Sequence, residues 1–314
     1  MNAVLLCPGQ GAQRVGMGKD LAARFPAARA VFEAVDEALG VALSRLMWEG
    51  PEDDLTLTHN AQPAILAHTL AAHAALGSAP RPVAAAGHSL GEYSAYAAAV
   101  SLGVADAARL VRRRGELMRE AGERRSGTMA AVLGLASAIV EAQCRAASDG
   151  GAVVVAANLN APDQTVISGD PAAVQRAGEL CRAAGAKRVA ALKVSGAFHS
   201  PLMQAAQDGL RTLLEQVPFQ DPAFPVVANA NAEPVRTASD ARRLLARQLT
   251  APVRWVECVK RLWADAGGAA ATFLEIGPGT VLAGLVKRIV PGARAVSIGS
   301  ADDVEKFLAA HDHH

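Results

Sequence analysis

Ser89 stands in a sequence whose residue types and spacing are those of a nucleophile. The pentapeptide Gly87-His88-Ser89-Leu90-Gly91 has the pattern G-x-S-x-G, between a short apolar run at 83–86 and an Ala-rich stretch at 92–99. On a strand-to-helix turn, this pattern forms a nucleophile elbow that presents the serine hydroxyl at a helix N-terminus. The flanking glycines allow so sharp a turn without a clash. The sequence therefore predicts a nucleophilic Ser89; the alternative is a serine that only caps the helix.

A nucleophilic serine needs a base, and the chain has eight histidines. His199 is the best candidate, because it lies after a predicted strand and just before a helix that begins near Pro201, where α/β folds place catalytic residues. The alternative is a structural loop histidine. His88 adjoins Ser89, and its side chain is expected to point away from that of the serine. Five further histidines are set aside, two in an Ala/Leu-rich helical run and three in a polar tail: His68, His73, His311, His313 and His314.

Arg114 falls at the centre of an apolar stripe on a helix predicted over 104–121. With successive residues 100° apart, the stripe consists of Ala107, Leu110, Val111, Leu117 and Met118. On the same projection Arg112 points toward solvent and Arg113 lies at the margin. A buried guanidinium needs an anion, because an unpaired buried charge is very costly. That anion is either part of a ligand or the carboxylate of a structural salt bridge.

The elements that must position these residues follow from periodicity. Residues 3–7 and 83–87 are predicted as strands, and helical structure begins over 16–25. From 127 to 194 the rhythm changes to the order βαββαβ, which is typical of a ferredoxin-like module. Its strands are predicted at 128–133, 153–157, 165–168 and 187–194, and its helices at 136–147 and 171–184.

After residue 194 the chain returns to alternating strands and helices, with strands predicted at 226–228, 272–276 and 293–298. We therefore predict the α/β class. An α/β-hydrolase-like large domain (1–126 and 195–314) has a parallel sheet and the nucleophile elbow, and a ferredoxin-like small domain (127–194) is inserted into it. A cleft between the two domains, above the elbow, is the expected substrate site.

Composition argues against several classes of protein. Lys and Arg total 31 against 30 Asp and Glu, so no global field favours nucleic acid or an anionic membrane. The four cysteines are far apart without a C-x-x-C pair, which indicates neither a disulfide framework nor a zinc site. No apolar run reaches the roughly 18 residues of a membrane span, and no basic segment typical of a signal peptide follows Met1. These features predict a cytoplasmic protein without a metal site.

Five segments, in order along the chain, resemble the signatures of malonyl-CoA:acyl carrier protein transacylases. They are the PGQGxQ signature at 8–13, the GHSxGEY(S/T) elbow at 87–94, GAFH at 196–199, RQL…PVxW at 247–255 and E(I/V)GPG at 275–279. The matches extend from residue 4 to about 298. Cys7 and Ala12 differ from the commonest family residues but leave Gln10 in place. The resemblance covers nearly the whole chain.

The resemblance assigns roles to individual residues. It implies that Ser89 and His199 form a catalytic dyad, with a backbone carbonyl of Gln248 orienting the histidine in place of the usual acid. The backbone N–H groups of Gln10 and Leu90 are expected to form the oxyanion hole. Arg114 is expected to pair with the free carboxylate of the malonyl group, since a guanidinium binds a carboxylate bidentately.

The resemblance also suggests residues for specificity and docking. Phe198 would close the space beside the acyl α-carbon and so favour malonyl. Asn160 would line the cleft on the small-domain side; the alternative is an Asn-Ala-Pro turn residue. An acidic carrier protein would dock on basic pairs, and a solvated charged face is the alternative for each pair. These pairs are Lys187 with Arg188 and Lys287 with Arg288.

The implied activity is ping-pong transfer of malonyl from malonyl-CoA to the phosphopantetheine thiol of acyl carrier protein, in fatty acid biosynthesis, without a metal or redox cofactor. Malonyl loading in a malonate decarboxylase or polyketide system is one alternative. A serine hydrolase is another; it usually needs an acid between serine and histidine, for which Asp149, Asp163 and Asp170 are available. A non-catalytic carrier-binding module is disfavoured because Ser89, His199 and Arg114 are all present.

Overall fold

Two β-sheets organise the chain in the computed structural model, which describes residues 2–194 and 196–310. The tail histidines His311, His313 and His314 lie outside the described residues. The strands are β1 (Asn2–Cys7), β2 (Pro82–Gly87), β3 (Thr128–Leu133), β4 (Val154–Ala161), β5 (Gln164–Gly169), β6 (Arg188–Ala191), β7 (Val226–Val227), β8 (Pro234–Val235), β9 (Ala271–Ile276) and β10 (Arg294–Ile298).

Fourteen α-helices of the described residues cover and connect these sheets. They are α1 (Lys19–Arg24), α2 (Pro26–Leu39), α3 (Leu43–Glu49), α4 (Glu52–Thr56), α5 (Thr58–Ala75), α6 (Gly91–Ala98), α7 (Val104–Arg124), α8 (Ser137–Ala147), α9 (Pro171–Ala183), α10 (Gln204–Gln216), α11 (Ala238–Gln248), α12 (Trp255–Asp265), α13 (Val281–Ile289) and α14 (Ala301–Ala309). Short 3₁₀ helices lie at Pro201–Met203 and Gly268–Ala270. Within these ranges, no helix is long and apolar enough to cross a membrane.

The larger sheet has the order β10-β9-β1-β2-β7-β8, and its pairs are parallel except for β7 with β8. Positions 3–7 of β1 and all of β9 are buried, as expected for parallel strands covered by helices on both faces. The sequence analysis missed β8, which is only two residues long and begins with a proline at the sheet edge. The predicted parallel sheet is confirmed.

The smaller sheet has the order β4-β5-β3-β6 and is antiparallel throughout. Together with α8 and α9 it forms the βαββαβ module, which has its own core around Val140, Ile167 and Cys181. The prediction that its second strand ends at 157 is wrong, because β4 continues to Ala161 through two register irregularities in its pairing with β5. The fold class, a large α/β body with a smaller ferredoxin-like body, is confirmed.

The long helix α7 carries Arg114 on its buried face, and the predicted apolar stripe is buried with it. Arg112 does not point freely into solvent as predicted: it is half-buried and donates a hydrogen bond to Asn60. Gly115 lets α7 approach α5 closely, since an added Cβ there would lie 2.6 Å from the Cα of His59. This approach brings the side chains of α5 within reach of Arg114.

The turn between β2 and α6 depends on Gly91. A Cβ on this residue would lie 2.1 Å from the carbonyl oxygen of Cys7, at the end of β1. We therefore expect Gly91→Ala to lower the free energy of unfolding by about 3 kcal/mol or more, because backbone cannot give way as a flexible side chain can. Urea denaturation measures the change.

Gly284→Ala is the matched control. This glycine is exposed within α13, and no atom lies within 4 Å of its added Cβ. The same substitution should stabilise the protein here by about 0.5–1 kcal/mol, since alanine favours a helix interior. Equal effects at the two positions would contradict the packing of β1 against the elbow.

Candidate active site

Ser89 occupies the turn between β2 and α6 with a left-handed φ of 52°. The side chain of Asn229 holds it there: its Oδ1 accepts the Ser89 N–H at 2.8 Å, and its Nδ2 donates to the Gly87 carbonyl at 2.8 Å. A non-glycine residue in this region of φ is strained and persists only where its surroundings fix it. The two bonds from Asn229 supply that restraint, and they present the serine Oγ at the N-terminal end of α6.

His199 meets this hydroxyl directly. Its Nε2 lies 2.7 Å from Ser89 Oγ, and its Nδ1 lies 3.0 Å from the backbone carbonyl of Gln248. A carbonyl only accepts, so Nδ1 carries the proton and Nε2 is left to accept the serine proton. The arrangement is that of a nucleophile with its general base.

Arg114 adds a positive charge to the same oxygen. Its guanidinium is buried, and Nη2 donates to Ser89 Oγ at 3.0 Å and to the side-chain oxygen of Gln248 at 2.9 Å. Nη1 donates to the side-chain oxygen of Gln62 at 2.7 Å. These acceptors are all neutral, so among the described residues the structural salt bridge considered for Arg114 is not formed. Neutral groups therefore hold the guanidinium in place, but they do not neutralise its positive charge.

A cavity of about 540 Å³ opens above these three residues. Its walls come from both bodies: Ser89, Arg114 and Met118 from the larger one, and Met129 and Leu192 from the smaller one. This is the cleft expected above the elbow. Its size suits a small acyl group together with part of the molecule that delivers it.

Comparison with known proteins identifies the family. The model of the acyl transferase domain family matches residues 4–311. The malonyl CoA-acyl carrier protein transacylase of Bacillus subtilis (strain 168) is 42% identical over 301 residues, which are 96% of this chain and 94% of the relative. The chain belongs to the malonyl CoA-acyl carrier protein transacylase family. The resemblance seen in the sequence is thereby confirmed, and the protein is an acyltransferase.

Solved structures agree with this family membership. An acyl carrier protein S-malonyltransferase from Vibrio cholerae superposes with a TM-score of 0.94 at 38% identity, covering 98% of this chain and all of that one. A malonyl-transacylase solved in complex with a type II PKS acyl-carrier protein also has a TM-score of 0.94, at 39% identity, with 99% and 100% of the two chains covered.

Three further predicted residues, Gln10, Leu90 and Phe198, line the cavity of this acyltransferase. Leu90 directly follows the nucleophile at the start of α6, where backbone N–H groups point out of the helix. The Gln10 side chain is tied to Thr58 at 3.3 Å. Phe198 is buried next to His199. All three line the cavity, and the roles expected of them stay predictions.

Asn160 lines a cavity next to the catalytic one. It belongs to β4 and not to a turn, and its Oδ1 lies 2.8 Å from His88 Nε2, beside a neighbouring cavity of about 280 Å³. Asn158 lines the catalytic cavity instead. The pairing of β4 with β5 shifts register after Leu159, and such irregularities re-aim side chains. The two cavities share Gln10, Gly11 and His88, so a role of Asn160 in the substrate cleft stays a prediction.

The predicted basic pairs have different surroundings. Lys187 and Arg188 are exposed at the start of β6, whereas the lysine that lines the cavity is Lys193, which the sequence analysis did not single out. Lys287 is exposed in the last turn of α13. Arg288 pairs with Asp163 of the smaller body at 2.6 Å, so its charge is partly engaged.

A buried carboxyl beneath the elbow was also missed. Glu92, in the first turn of α6, is fully buried, and its Oε2 accepts from the Gln248 side chain at 2.7 Å and from the Asn229 N–H at 3.0 Å. Burial raises the pKa of Glu92 to about 7, against the lowering effect of these hydrogen bonds and of Arg114.

Among the described residues, no group of three or more His, Cys, Asp or Glu side chains is arranged to hold a metal ion.

The environment of His199 keeps its imidazole neutral. Burial, together with the positive charge of Arg114, lowers its pKa to about 3. The ring therefore remains a proton acceptor at every pH above that value, whereas a histidine of ordinary pKa gains a proton as the pH falls through about 6.5.

We expect the ring signals of His199 to show no titration between pH 8 and pH 5. Nuclear magnetic resonance of protein labelled at histidine measures this, and the His199→Ala variant assigns the signal. In Arg114→Gln the pKa should rise, because a nearby positive charge is removed. A midpoint near 6.5 in the unsubstituted protein would contradict the burial of the base.

Proposed function

We propose that this acyltransferase moves the malonyl group from malonyl-CoA to the phosphopantetheine thiol of an acyl carrier protein, through an ester on Ser89, in fatty acid biosynthesis. One observation carries the proposal: the Ser89 oxygen contacts both a neutral histidine, at 2.7 Å, and a buried guanidinium, at 3.0 Å. The first contact suits attack on a thioester, and the second suits an acyl group that carries its own carboxylate.

The first half-reaction forms the ester. His199 Nε2 takes the Ser89 proton as Oγ attacks the thioester carbon, and the backbone N–H groups of Leu90 and Gln10 hold the resulting oxyanion. Each such donor contributes about 3–4 kcal/mol to lowering the barrier. The carbon–sulfur bond then breaks, and the thiol of coenzyme A leaves with the proton that His199 returns.

The second half-reaction reverses these steps on a new thiol. The phosphopantetheine thiol gives its proton to His199 and attacks the ester carbon, and the bond to Ser89 Oγ breaks as the serine recovers a proton. Every group that takes part in these reaction steps belongs to the protein or to a substrate. We therefore propose that malonyl-CoA and holo-acyl carrier protein suffice without a cofactor. The cytoplasmic location stays a prediction.

Arg114 is arranged to receive the malonyl carboxylate. Each of its terminal nitrogens has two N–H groups, and each spends one on a glutamine side chain. The second N–H of Nη2 donates to Ser89 Oγ in the free protein and is released for a ligand when that oxygen becomes part of the ester. One N–H on each nitrogen then remains for a bidentate carboxylate.

The hydrolase alternative is not favoured by the surroundings of His199. Its Nδ1 faces a backbone carbonyl, whereas the three aspartates considered as a third catalytic group bind elsewhere. Asp149 pairs with Arg176, Asp163 with Arg288 and Asp170 with Arg125. A polyketide carrier is the second candidate acceptor, because the malonyl-transacylase solved with a type II PKS acyl-carrier protein shares the fold.

The remaining assignments belong to the same proposal. The domains are taken as 1–126 with 195–314 and as 127–194, and Phe198 closes the space beside the acyl α-carbon. An acidic carrier protein docks near the mouth of the cleft, with four basic residues as contacts: Lys187, Arg188, Lys287 and Arg288. Since Arg288 is also paired with Asp163, Lys287 is the freer charge of its pair.

The decisive experiment is intact mass spectrometry after mixing the protein with malonyl-CoA. One malonyl adduct should form and should be absent from Ser89→Ala, because no other hydroxyl of the described residues contacts both the base and the guanidinium. Addition of holo-acyl carrier protein should remove the adduct. An undiminished adduct in Ser89→Ala would place the nucleophile elsewhere. If the adduct is lost to water as fast as it is lost to holo-acyl carrier protein, a hydrolase is favoured.

Arg114→Ala tests the carboxylate-binding role. The kcat/KM for malonyl transfer should fall by an amount that corresponds to a loss of about 2–4 kcal/mol in transition-state stabilisation, because a charge-assisted bidentate pair is lost in a buried site. Acetyl transfer should fall much less, since acetyl has no carboxylate to pair. Steady-state kinetics with both thioesters measures the ratio, and an equal fall for both would make Arg114 a structural residue only.

A further inference from the structure

We propose that Glu92 is a positioning residue that sets the selectivity for carboxylated acyl groups, because it fixes the side-chain amide of Gln248 against Arg114. The inference rests on the function proposed above. Glu92 does not line the catalytic cavity and acts through Gln248.

The amide of Gln248 has both of its N–H groups engaged. Nε2 donates to Glu92 Oε2 at 2.7 Å and to the Ser89 carbonyl at 2.9 Å. The amide oxygen consequently faces Arg114 and accepts from Nη2 at 2.9 Å. If the amide were reversed, its NH₂ group would meet the guanidinium donor to donor, and its oxygen would meet the acceptors. Glu92 and the Ser89 carbonyl are the two acceptors that favour the observed orientation of the amide over the reversed one.

This role does not depend on the charge of Glu92. Its Oε1 is buried and has no hydrogen-bond partner in the described part of the chain, whereas Oε2 accepts both bonds. If Glu92 gains a proton on Oε1, Oε2 still accepts. The carboxyl group therefore holds Gln248 in either protonation state.

An indirect contact also leaves Arg114 available. A carboxylate placed directly on the guanidinium would compete with a substrate carboxylate for the same N–H groups. In the structure, the Gln248 amide stands between Glu92 and Arg114, with its NH₂ toward the acid and its oxygen toward the cation. The guanidinium is thus oriented by a neutral acceptor.

Gln248 holds the base, His199, by a different bond. His199 is held by the main-chain carbonyl of Gln248, at the end of α11, and this bond does not involve the amide that Glu92 contacts. Glu92 also accepts the main-chain N–H of Asn229, whose side chain holds Ser89. Loss through that bond should lower all acylations alike, whereas loss through Gln248 should disturb Arg114 and change the malonyl-to-acetyl ratio. A residue needed only for folding would leave that ratio unchanged.

The test compares three reactions in the full-length protein: acylation by malonyl-CoA, acylation by acetyl-CoA, and labelling by a neutral fluorophosphonate. Glu92→Leu keeps a similar volume and removes the acceptor. We expect its malonyl-to-acetyl ratio to fall about tenfold, as for the loss of one charged hydrogen bond, with a much smaller fall in fluorophosphonate labelling. Glu92→Gln should restore most of the ratio, because its amide oxygen can accept both bonds.

A double-mutant cycle shows whether the effect passes through Gln248. Gln248→Met keeps the main-chain carbonyl and removes the amide, so it should lower the ratio by itself, and adding Glu92→Leu should lower it little further. Independent, multiplying effects would overturn the proposal, as would an equal loss in all three reactions of Glu92→Leu. If Glu92→Leu does not fold, an unchanged ratio in Gln248→Met overturns it. Failure of the proposed function would appear separately, as no malonyl ester in the unsubstituted protein.

Discussion

The structure depends on one costly feature, a buried guanidinium that no carboxylate of residues 2–194 and 196–310 pairs with. An unpaired charge in a protein interior is tolerated only where hydrogen bonds replace those of water. Arg114 obtains them from Gln62 of α5 and Gln248 of α11, and Gly115 allows α5 and α7 to approach closely enough. The helices around the elbow are thus arranged to keep one positive charge buried and incompletely satisfied beside a serine.

The smaller body is joined to the same region through main-chain bonds. Val253, shortly after α11, donates to the Ala157 carbonyl of β4 and accepts from the Leu159 N–H, at 2.8 and 2.9 Å. The segment that supplies Gln248 therefore continues into a strand-like contact with the small sheet. This contact fixes one wall of the cleft against the elements that hold the base, so the cavity does not rest on side-chain packing alone.

The sequence supported the elements whose signals are local. The elbow follows from glycine spacing between an apolar strand and a helix, and Arg114 follows from a period of 3.6 residues. Asn229 and Gln248 lie more than 130 positions from Ser89, and no local pattern ties an asparagine amide to the N–H of a distant serine. The predicted strand ended before Asn160, which lies in β4, because strand irregularities have no clear sequence signal. Glu92 could have been found as Arg114 was, because it too is a charged residue among the apolar residues of a helix.

The nearness of Arg114 to the base has a consequence for the timing of catalysis. Its charge is among the causes that hold the pKa of His199 low. A carboxylate bound to the guanidinium cancels part of that charge, so the imidazole becomes more basic when an acidic acyl group arrives and stays weak when the acyl group is neutral. Discrimination then lies in the rate of proton removal as well as in binding.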